Sequence, residues 1–186
     1  MNFANIITIG RLLFTPIIIW LIFSSYYSLG LIFFVLSGLS DALDGFIAKQ
    51  FNQSTILGSY LDPIADKTLI VSSILALGYM GAIPSWLIIL IVSRDLAILG
   101  AVIISWLVER SLKIEPIISS KINTFLQIFY IGLILFSLSY QEGMIYLDMF
   151  ILPAFSILIA SSTLLSWFSY LILWLRSMGI VNKYNI

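Results

Sequence analysis

The chain has 186 residues, of which 61% are hydrophobic and only 10% are charged. Soluble globular proteins have roughly 45–50% apolar and about 25% charged residues, so this composition indicates a membrane protein. Nine Lys and Arg balance nine Asp and Glu, which leaves no excess of positive charge for binding nucleic acid. Because Cys and His are both absent, disulfides, thiolate nucleophiles, histidine bases and ordinary zinc sites are excluded.

Six apolar windows follow one another along the chain, each long enough to cross a hydrocarbon core of ~30 Å as a helix. The windows cover residues 6–26, 30–51, 56–80, 84–108, 121–139 and 149–169 or beyond. Polar or turn-forming residues separate them. The sequence therefore predicts an all-α polytopic membrane protein with six transmembrane helices, built as a single domain over residues 1–186.

The distribution of Lys and Arg predicts the orientation of these helices. The connections at 25–30, 81–84 and 140–148 contain neither residue, whereas the two ends of the chain and the other two connections contain or adjoin several. Positive charge is retained on the cytoplasmic side of membrane proteins. Both termini and the connections at 52–55 and 109–120 are therefore expected to be cytoplasmic.

Four aspartates lie inside the predicted spans, close to the cytoplasmic side. Asp41 and Asp44 are in the second span, and Asp62 and Asp66 are in the third. Their spacing places each pair on one helix face, and the short connection at 52–55 makes the two helices antiparallel neighbours. Four converging carboxylates repel one another unless they are protonated or neutralised, and oxygen ligands suit Mg²⁺ or Mn²⁺. A site for two divalent cations is one interpretation.

Two other arrangements would also account for the aspartates. They could line a pathway along which a carrier moves cations, or they could form ion pairs with Lys49, Lys67 and Arg94. The spacing of the aspartates alone does not decide among the three.

The residues around the aspartates form a longer pattern. It reads Asp41-x2-Asp44-Gly45-x2-Ala48-Lys49-x8-Gly58-x3-Asp62-x3-Asp66. This pattern resembles the signature of the CDP-alcohol phosphatidyltransferases, which usually has Arg at the position of Lys49 and matches at every other fixed position. Members of that family move a phosphatidyl or similar group from a CDP-linked donor to a hydroxyl and release CMP. A cation carrier has no reason to place Gly45, Ala48 and Gly58 in this register.

The resemblance implies a role for each residue of the pattern. Asp41, Asp44, Asp62 and Asp66 would hold two divalent cations, Mg²⁺ or Mn²⁺, and Asp66 would also be the general base for the attacking hydroxyl. The residues implied to contact the CDP-linked donor are Gly45, Ala48, Lys49 and Gly58. Lys49 supplies a point charge in place of the planar fork of Arg, and it could equally extend toward the lipid headgroups.

Two stripes of polar residues recur at every third position within the spans. The stripes consist of Asn5, Thr8 and Arg11 in the first span and of Lys121, Thr124 and Gln127 in the fifth. They indicate either the lining of a shared cavity or hydrogen bonding between helices. In the first case Arg11, Arg94 and Lys121 are candidates for binding an anionic acceptor; Arg94 could instead pair with one of the carboxylates.

Short stretches favour one branch of the family. Ser93-Arg94-Asp95, followed by Ser120-Lys121-Ile122-Asn123-Thr124 and Gln127, is similar to the CMP-forming cardiolipin synthases. Phosphatidylglycerophosphate synthases share the overall plan, but they typically carry further Lys or Arg after the fourth-span Arg and at the start of the fifth span. Residues 97–107 contain neither, and Asn123 stands where a second Lys would be expected.

Charge also bears on the acceptor. Glycerol-3-phosphate carries a phosphomonoester near charge −2, whereas phosphatidylglycerol carries a diester of charge −1. The few cations near the site favour the diester. The expected donor is therefore CDP-diacylglycerol and the expected acceptor phosphatidylglycerol, with glycerol-3-phosphate as the alternative. The resemblance also implies a homodimer in the bacterial inner membrane, or in the mitochondrial inner membrane of a eukaryote, with the site on the cytoplasmic side.

Overall fold

A computed structural model describes the backbone of residues 3–50, 56–107, 118–140 and 147–177 and the side chains of residues 8–40, 64–100, 118–140 and 149–175. The described backbone consists of helices joined by short turns, without strands. The helices are α1 (Phe3–Phe23), α2 (Tyr27–Gln50), α3 (Ile56–Tyr79), α4 (Ser85–Leu107), α5 (Ile118–Ser139) and α6 (Leu152–Ser177). A short π-helical segment, Leu147–Ile151, leads into α6. The all-α prediction is confirmed for these residues.

The helices follow the predicted windows to within a few residues. The differences reach three residues: α1 begins and ends three residues earlier than its window 6–26, and α2 and α5 begin at Tyr27 and Ile118, each three residues earlier than expected. Two described segments, Ile118–Ser139 and Met149–Leu175, are long and apolar enough to cross a membrane. Thr8–Phe23 and Tyr27–Ser40 are shorter apolar helical segments.

The core lies where helices from both halves of the chain meet. Helix α1 packs against α2 and α3, α5 packs against α2 and α6, and α4 packs against α6. The contacts of α3 with α4 and α5 are less extensive. Large apolar side chains fill the centre, among them Ile22, Ile74, Leu87, Ile131 and Ile159, which are almost completely buried.

The outer surface is also apolar. Large hydrophobic side chains are exposed on several helices, including Leu13, Trp20, Leu96, Phe125 and Leu165. Contiguous apolar surface of this kind is rare on soluble monomers. It suits contact with lipid.

The turn between α3 and α4 is tightly built. Gly81 has a φ of 78°, a conformation that side chains with a Cβ rarely adopt. The amides of Gly81 and Ala82 donate to the carbonyls of Gly78 and Leu77 at 3.0 and 2.9 Å, which is a Schellman cap. A Cβ at Gly78 would overlap Ile88 of α4. The chain therefore reverses direction at this turn, and α3 and α4 are in close contact beside it.

Candidate functional site

Helices α2 and α3 carry the aspartate pattern. Asp41 and Asp44 lie in helical backbone less than one turn apart, and Asp62 and Asp66 lie about one turn apart on α3. Of the four, only the side chain of Asp66 is described. The side chains of the others lie outside the described set, as do those of the predicted donor-binding residues Gly45, Ala48, Lys49 and Gly58. Among the described side chains, no group of three or more acidic residues could hold a metal ion.

Asp66 is joined to the first helix. The guanidinium of Arg11 donates to the Asp66 carboxylate, and the two form an ion pair between α1 and α3. The Arg11 side chain is 1% exposed, whereas that of Asp66 is 40% exposed. The arginine is thus enclosed by the bundle, while its carboxylate partner is partly exposed. Two residues of the sequence-predicted site are brought together here.

Arg94 is the centre of a second polar cluster, formed by α4, α5 and α6. Its guanidinium donates to Asp95 at 2.7 Å, to Ser120 at 2.7 Å and to Ser166 at 2.5 Å. It also lies over the ring of Tyr170, 5.6 Å from the ring centre, within the range of a cation–π interaction. With only 2% of the residue exposed, Arg94 holds the three helices together from within.

Asp95 extends this cluster to α3. Its Oδ2 accepts a hydrogen bond from Lys67 at 2.6 Å, and its Oδ1 accepts the bond from Arg94. Lys67 and Arg94, two of the cations that could have neutralised the aspartate pattern, are thus paired with a carboxylate outside it. The neighbours Asp66 and Lys67 therefore connect α3 in two directions, to α1 and to α4.

The polar stripe of α5 runs from the surface into the bundle. Lys121 is exposed, Thr124 is partly buried and Gln127 is 1% exposed. Lys121 follows Ser120, so it lies next to the residue that bonds Arg94. In the other stripe Thr8 and Arg11 are buried. The side chain of Asn5 lies outside the described residues.

Several members of the site could not be anticipated from the pattern. Ser166 and Tyr170 of α6 contact Arg94, and Ser162 and Thr163 donate to the side-chain oxygen of Asn123 at 2.6 and 2.9 Å. The only sequence signal is a group of hydroxyl residues in the apolar run of α6. Such residues commonly pack helices together in membranes, so their presence did not single them out.

Comparison with known proteins places these features in context. A family model described as CDP-alcohol phosphatidyltransferase matches residues 1–154. A Drosophila melanogaster protein named probable cardiolipin synthase (CMP-forming) is 34% identical over 72% of this chain and 46% of its own length. A Mycobacterium tuberculosis protein named probable phosphatidylglycerophosphate synthase is 31% identical over 98% of this chain and 86% of its own.

A third relative, from Rickettsia felis, is named CDP-diacylglycerol–glycerol-3-phosphate 3-phosphatidyltransferase. It is 34% identical over 79% of this chain and 81% of its own length. The chain thus spans about half the length of the fly relative and more than four fifths of the two bacterial ones.

Proposed function

The chain belongs to the CDP-alcohol phosphatidyltransferase family, and we propose that it transfers a phosphatidyl group from CDP-diacylglycerol to a hydroxyl of a glycerol-containing acceptor. The observation that carries the proposal is the full aspartate pattern on α2 and α3, whose Asp66 is held by Arg11 and is partly exposed. In this reaction the acceptor oxygen bonds to the phosphatidyl phosphorus, the bridging bond of the diphosphate breaks and CMP leaves.

The proposed metal ligands are Asp41, Asp44, Asp62 and Asp66. The donor chemistry fits, because hard divalent cations prefer carboxylate oxygens and helical spacing gives each pair a common face. Two divalent cations bound there would attract the diphosphate and stabilise negative charge on the reacting oxygens.

The protein's own residues have distinct tasks in the proposal. Asp66 takes the proton from the attacking hydroxyl, and Arg11 orients the carboxylate by donating to it. Gly45, Ala48 and Gly58 leave room for the cytidine diphosphate, and Lys49 contributes positive charge to it. Arg11, Arg94 and Lys121 supply positive charge for the acceptor.

Phosphatidylglycerol is the proposed acceptor, and cardiolipin is the proposed lipid product. Each buried arginine already faces a carboxylate, and Asp95 accepts from Lys67 as well as from Arg94. Little uncompensated positive charge is left for a dianion among these residues, so a monoanionic diester fits better. Glycerol-3-phosphate is the second candidate, because the name of the Rickettsia felis relative, 34% identical over 79% of this chain, contains this acceptor.

The location and assembly belong to the same proposal. All six helices cross the membrane, both termini and the site are on the cytoplasmic side, and the protein works as a homodimer in a bacterial inner membrane or a mitochondrial inner membrane. The absence of Lys and Arg from the three opposite connections supports the orientation. A cysteine introduced at Ser28 of this cysteine-free chain should react with an impermeant thiol reagent from outside; labelling only after the membrane is opened would contradict the orientation.

Product analysis tests the reaction. Purified protein with CDP-diacylglycerol should release CMP and form cardiolipin when phosphatidylglycerol is added. Efficient formation of phosphatidylglycerophosphate from glycerol-3-phosphate, with no cardiolipin formed, would show that glycerol-3-phosphate is the acceptor. Failure to release CMP with either acceptor would overturn the proposed activity.

Metal removal and substitution test the site itself. EDTA should abolish transfer, and Mg²⁺ or Mn²⁺ should restore it. Asp41→Asn, Asp44→Asn and Asp62→Asn should each lose nearly all transfer, whereas Asp148→Asn, outside the pattern, should retain it. Full activity in chelator or an active Asp44→Asn would refute the metal centre.

A further inference from the structure

Two amide side chains on α5 are buried in the bundle yet carry hydrogen-bonding groups that no described residue uses. Asn123 is 0% exposed and Gln127 is 1% exposed. They are four residues apart, so they lie one turn apart on the same helix face. Buried polar groups in proteins nearly always have partners, and a membrane interior offers no bulk water as a substitute. Unused groups at this depth therefore point to a ligand.

The amide of Asn123 is oriented by α6. Its Oδ1 accepts hydrogen bonds from Ser162 at 2.6 Å and from Thr163 at 2.9 Å, which uses both of its lone pairs. Its Nδ2 has no partner among the described residues. The two hydroxyls thereby fix the amide so that its NH₂ group is free to donate elsewhere.

Gln127 offers both a donor and an acceptor that no described residue uses. Neither its Nε2 nor its Oε1 has a hydrogen-bond partner in the described part of the chain. Together with Asn123 it offers two NH₂ groups and one carbonyl oxygen, and neither side chain is charged. A neutral set that both donates and accepts matches hydroxyl groups, which also do both. A phosphate would be matched better by Arg or Lys.

The position of this pair connects it with the proposed reaction. Helix α5 packs against both α2 and α3, the helices that carry the aspartate pattern. Gln127, nine residues after Ile118, and Asp66, ten residues after Ile56, each lie in the first half of their helix as the structure describes it. The hydrogen bonds from Lys67 to Asp95 and from Arg94 to Ser120 tie the corresponding halves of α3 and α5 to α4.

We propose that Asn123 and Gln127 form a neutral subsite that binds the hydroxyl groups of the acceptor's glycerol unit. This inference rests on the proposed function and adds to it the part of the acceptor that these residues recognise. The cations would hold the acceptor's phosphate, and the amides would hold its polyol. The glycerol unit is common to phosphatidylglycerol and glycerol-3-phosphate, so the subsite serves whichever of them is the acceptor.

Acceptors that lack one hydroxyl test the subsite. Phosphatidylglycerol is compared with the lipid whose headgroup is 1,3-propanediol, and glycerol-3-phosphate with 3-hydroxypropyl phosphate; each analogue keeps the attacking primary hydroxyl. For the unmodified protein, kcat/KM should be about tenfold higher with the glycerol acceptor than with its analogue, because one or two hydrogen bonds are lost with the analogue. The arm that yields product identifies the acceptor.

Substitution of Gln127 supplies the second half of the test. Gln127→Met keeps the shape of the side chain but cannot bond a hydroxyl well, so it should lower kcat/KM for the glycerol acceptor and abolish the preference over the analogue. Because the amide has no partner among the described residues, the variant should be at least as thermally stable as the unmodified protein.

Tyr130→Phe is the matched control on the next turn of α5. The Tyr130 hydroxyl is hydrogen-bonded to Ser156 at 2.6 Å, so its loss should lower thermal stability while the preference for glycerol is kept. Equal use of both acceptors by the unmodified protein would overturn the subsite even if Gln127→Met failed to fold. A preference unchanged in Gln127→Met would also overturn it. Absence of CMP release with every acceptor would instead overturn the proposed function, and the subsite with it.

Discussion

Arg11 and Arg94 are equally buried, at 2% exposure each, yet their surroundings differ. Arg11 reaches across to α3 and bonds an aspartate whose side chain is 40% exposed. Arg94 bonds the next residue in the chain, whose side chain is 9% exposed, and is enclosed by Ser120, Ser166 and Tyr170. Burial alone therefore does not reveal what a membrane arginine does. The accessibility of its partner separates an arginine at an open site from one that fastens helices together.

The largest effect on activity is expected at Asp66, the partly exposed partner of Arg11. Asp66→Asn should lower kcat by at least about 100-fold, because positioned general bases contribute roughly 10²–10⁴ to rates. The donor KM should change less than in Asp62→Asn if Asp66 acts mainly as the base. Steady-state kinetics of CMP release measures both quantities. A kcat within a few-fold of the unmodified enzyme would remove Asp66 from the chemistry.

The next effect concerns the geometry of Arg11. Arg11→Lys keeps the charge but not the planar fork, so Asp66 should be less well oriented and kcat should fall by about tenfold. Arg11→Met should lower kcat further, because it removes the positive charge of Arg11 from the carboxylate as well as the hydrogen bond. Thermal unfolding in detergent serves as the control for packing. Equal activity of Arg11→Lys and the unmodified enzyme would show that charge alone is sufficient.

The enclosed arginine should affect folding more than chemistry. Arg94→Met leaves Asp95 with Lys67 alone and removes every bond to α5 and α6, and breaking a buried ion pair costs about 3–5 kcal/mol. We expect a clear loss of thermal stability. A variant as stable as the unmodified protein would contradict the fastening role, and a raised acceptor KM in the folded variant would support the proposed contribution of Arg94 to acceptor binding.

A smaller and more specific effect is expected at Asp95. Asp95→Asn releases Lys67, whose charge can then approach the neighbouring aspartate pattern and compete with divalent cations. The Mg²⁺ concentration that gives half-maximal activity should rise several-fold, and adding Lys67→Met should reverse the rise without restoring the lost bond to Arg94. If this Mg²⁺ concentration stays raised after Lys67→Met is added to Asp95→Asn, Asp95 acts through stability alone.

The smallest effect should come from Ser166→Ala. It removes one hydroxyl from Arg94 and leaves the bonds to Asp95 and Ser120 intact, so stability should fall by only about 1–2 kcal/mol. Transfer should be nearly unchanged at a temperature where the protein is folded. A loss of stability as large as that of Arg94→Met would mean that the packing of α6 depends on this single contact.

The helices and the candidate site could be predicted from the sequence to different extents. Apolar windows located all six described helices, because helix length and hydropathy are local properties. The partner of Asp66 is 55 residues away, so the pairing depends on how α1 is rotated against α3, and periodicity does not give that rotation. Arg94 was expected to contact either the acceptor or one of the motif carboxylates. Its actual carboxylate partner is its neighbour Asp95, while its role toward an acceptor stays a prediction.

The tight turn at Gly81 has a consequence for how this chain can change length. Lys67 lies fourteen residues before Gly81 and Asp95 fourteen residues after it, so their ion pair joins two equal arms of an antiparallel hairpin. An extra residue taken into either helix beside the turn would rotate that arm by about 100° and shift it by about 1.5 Å. The pair would no longer meet, although the insertion is some 20 Å away. Relatives that retain this pair should therefore show no insertions or deletions between the two arms, even though loops are usually the most permissive parts of a sequence.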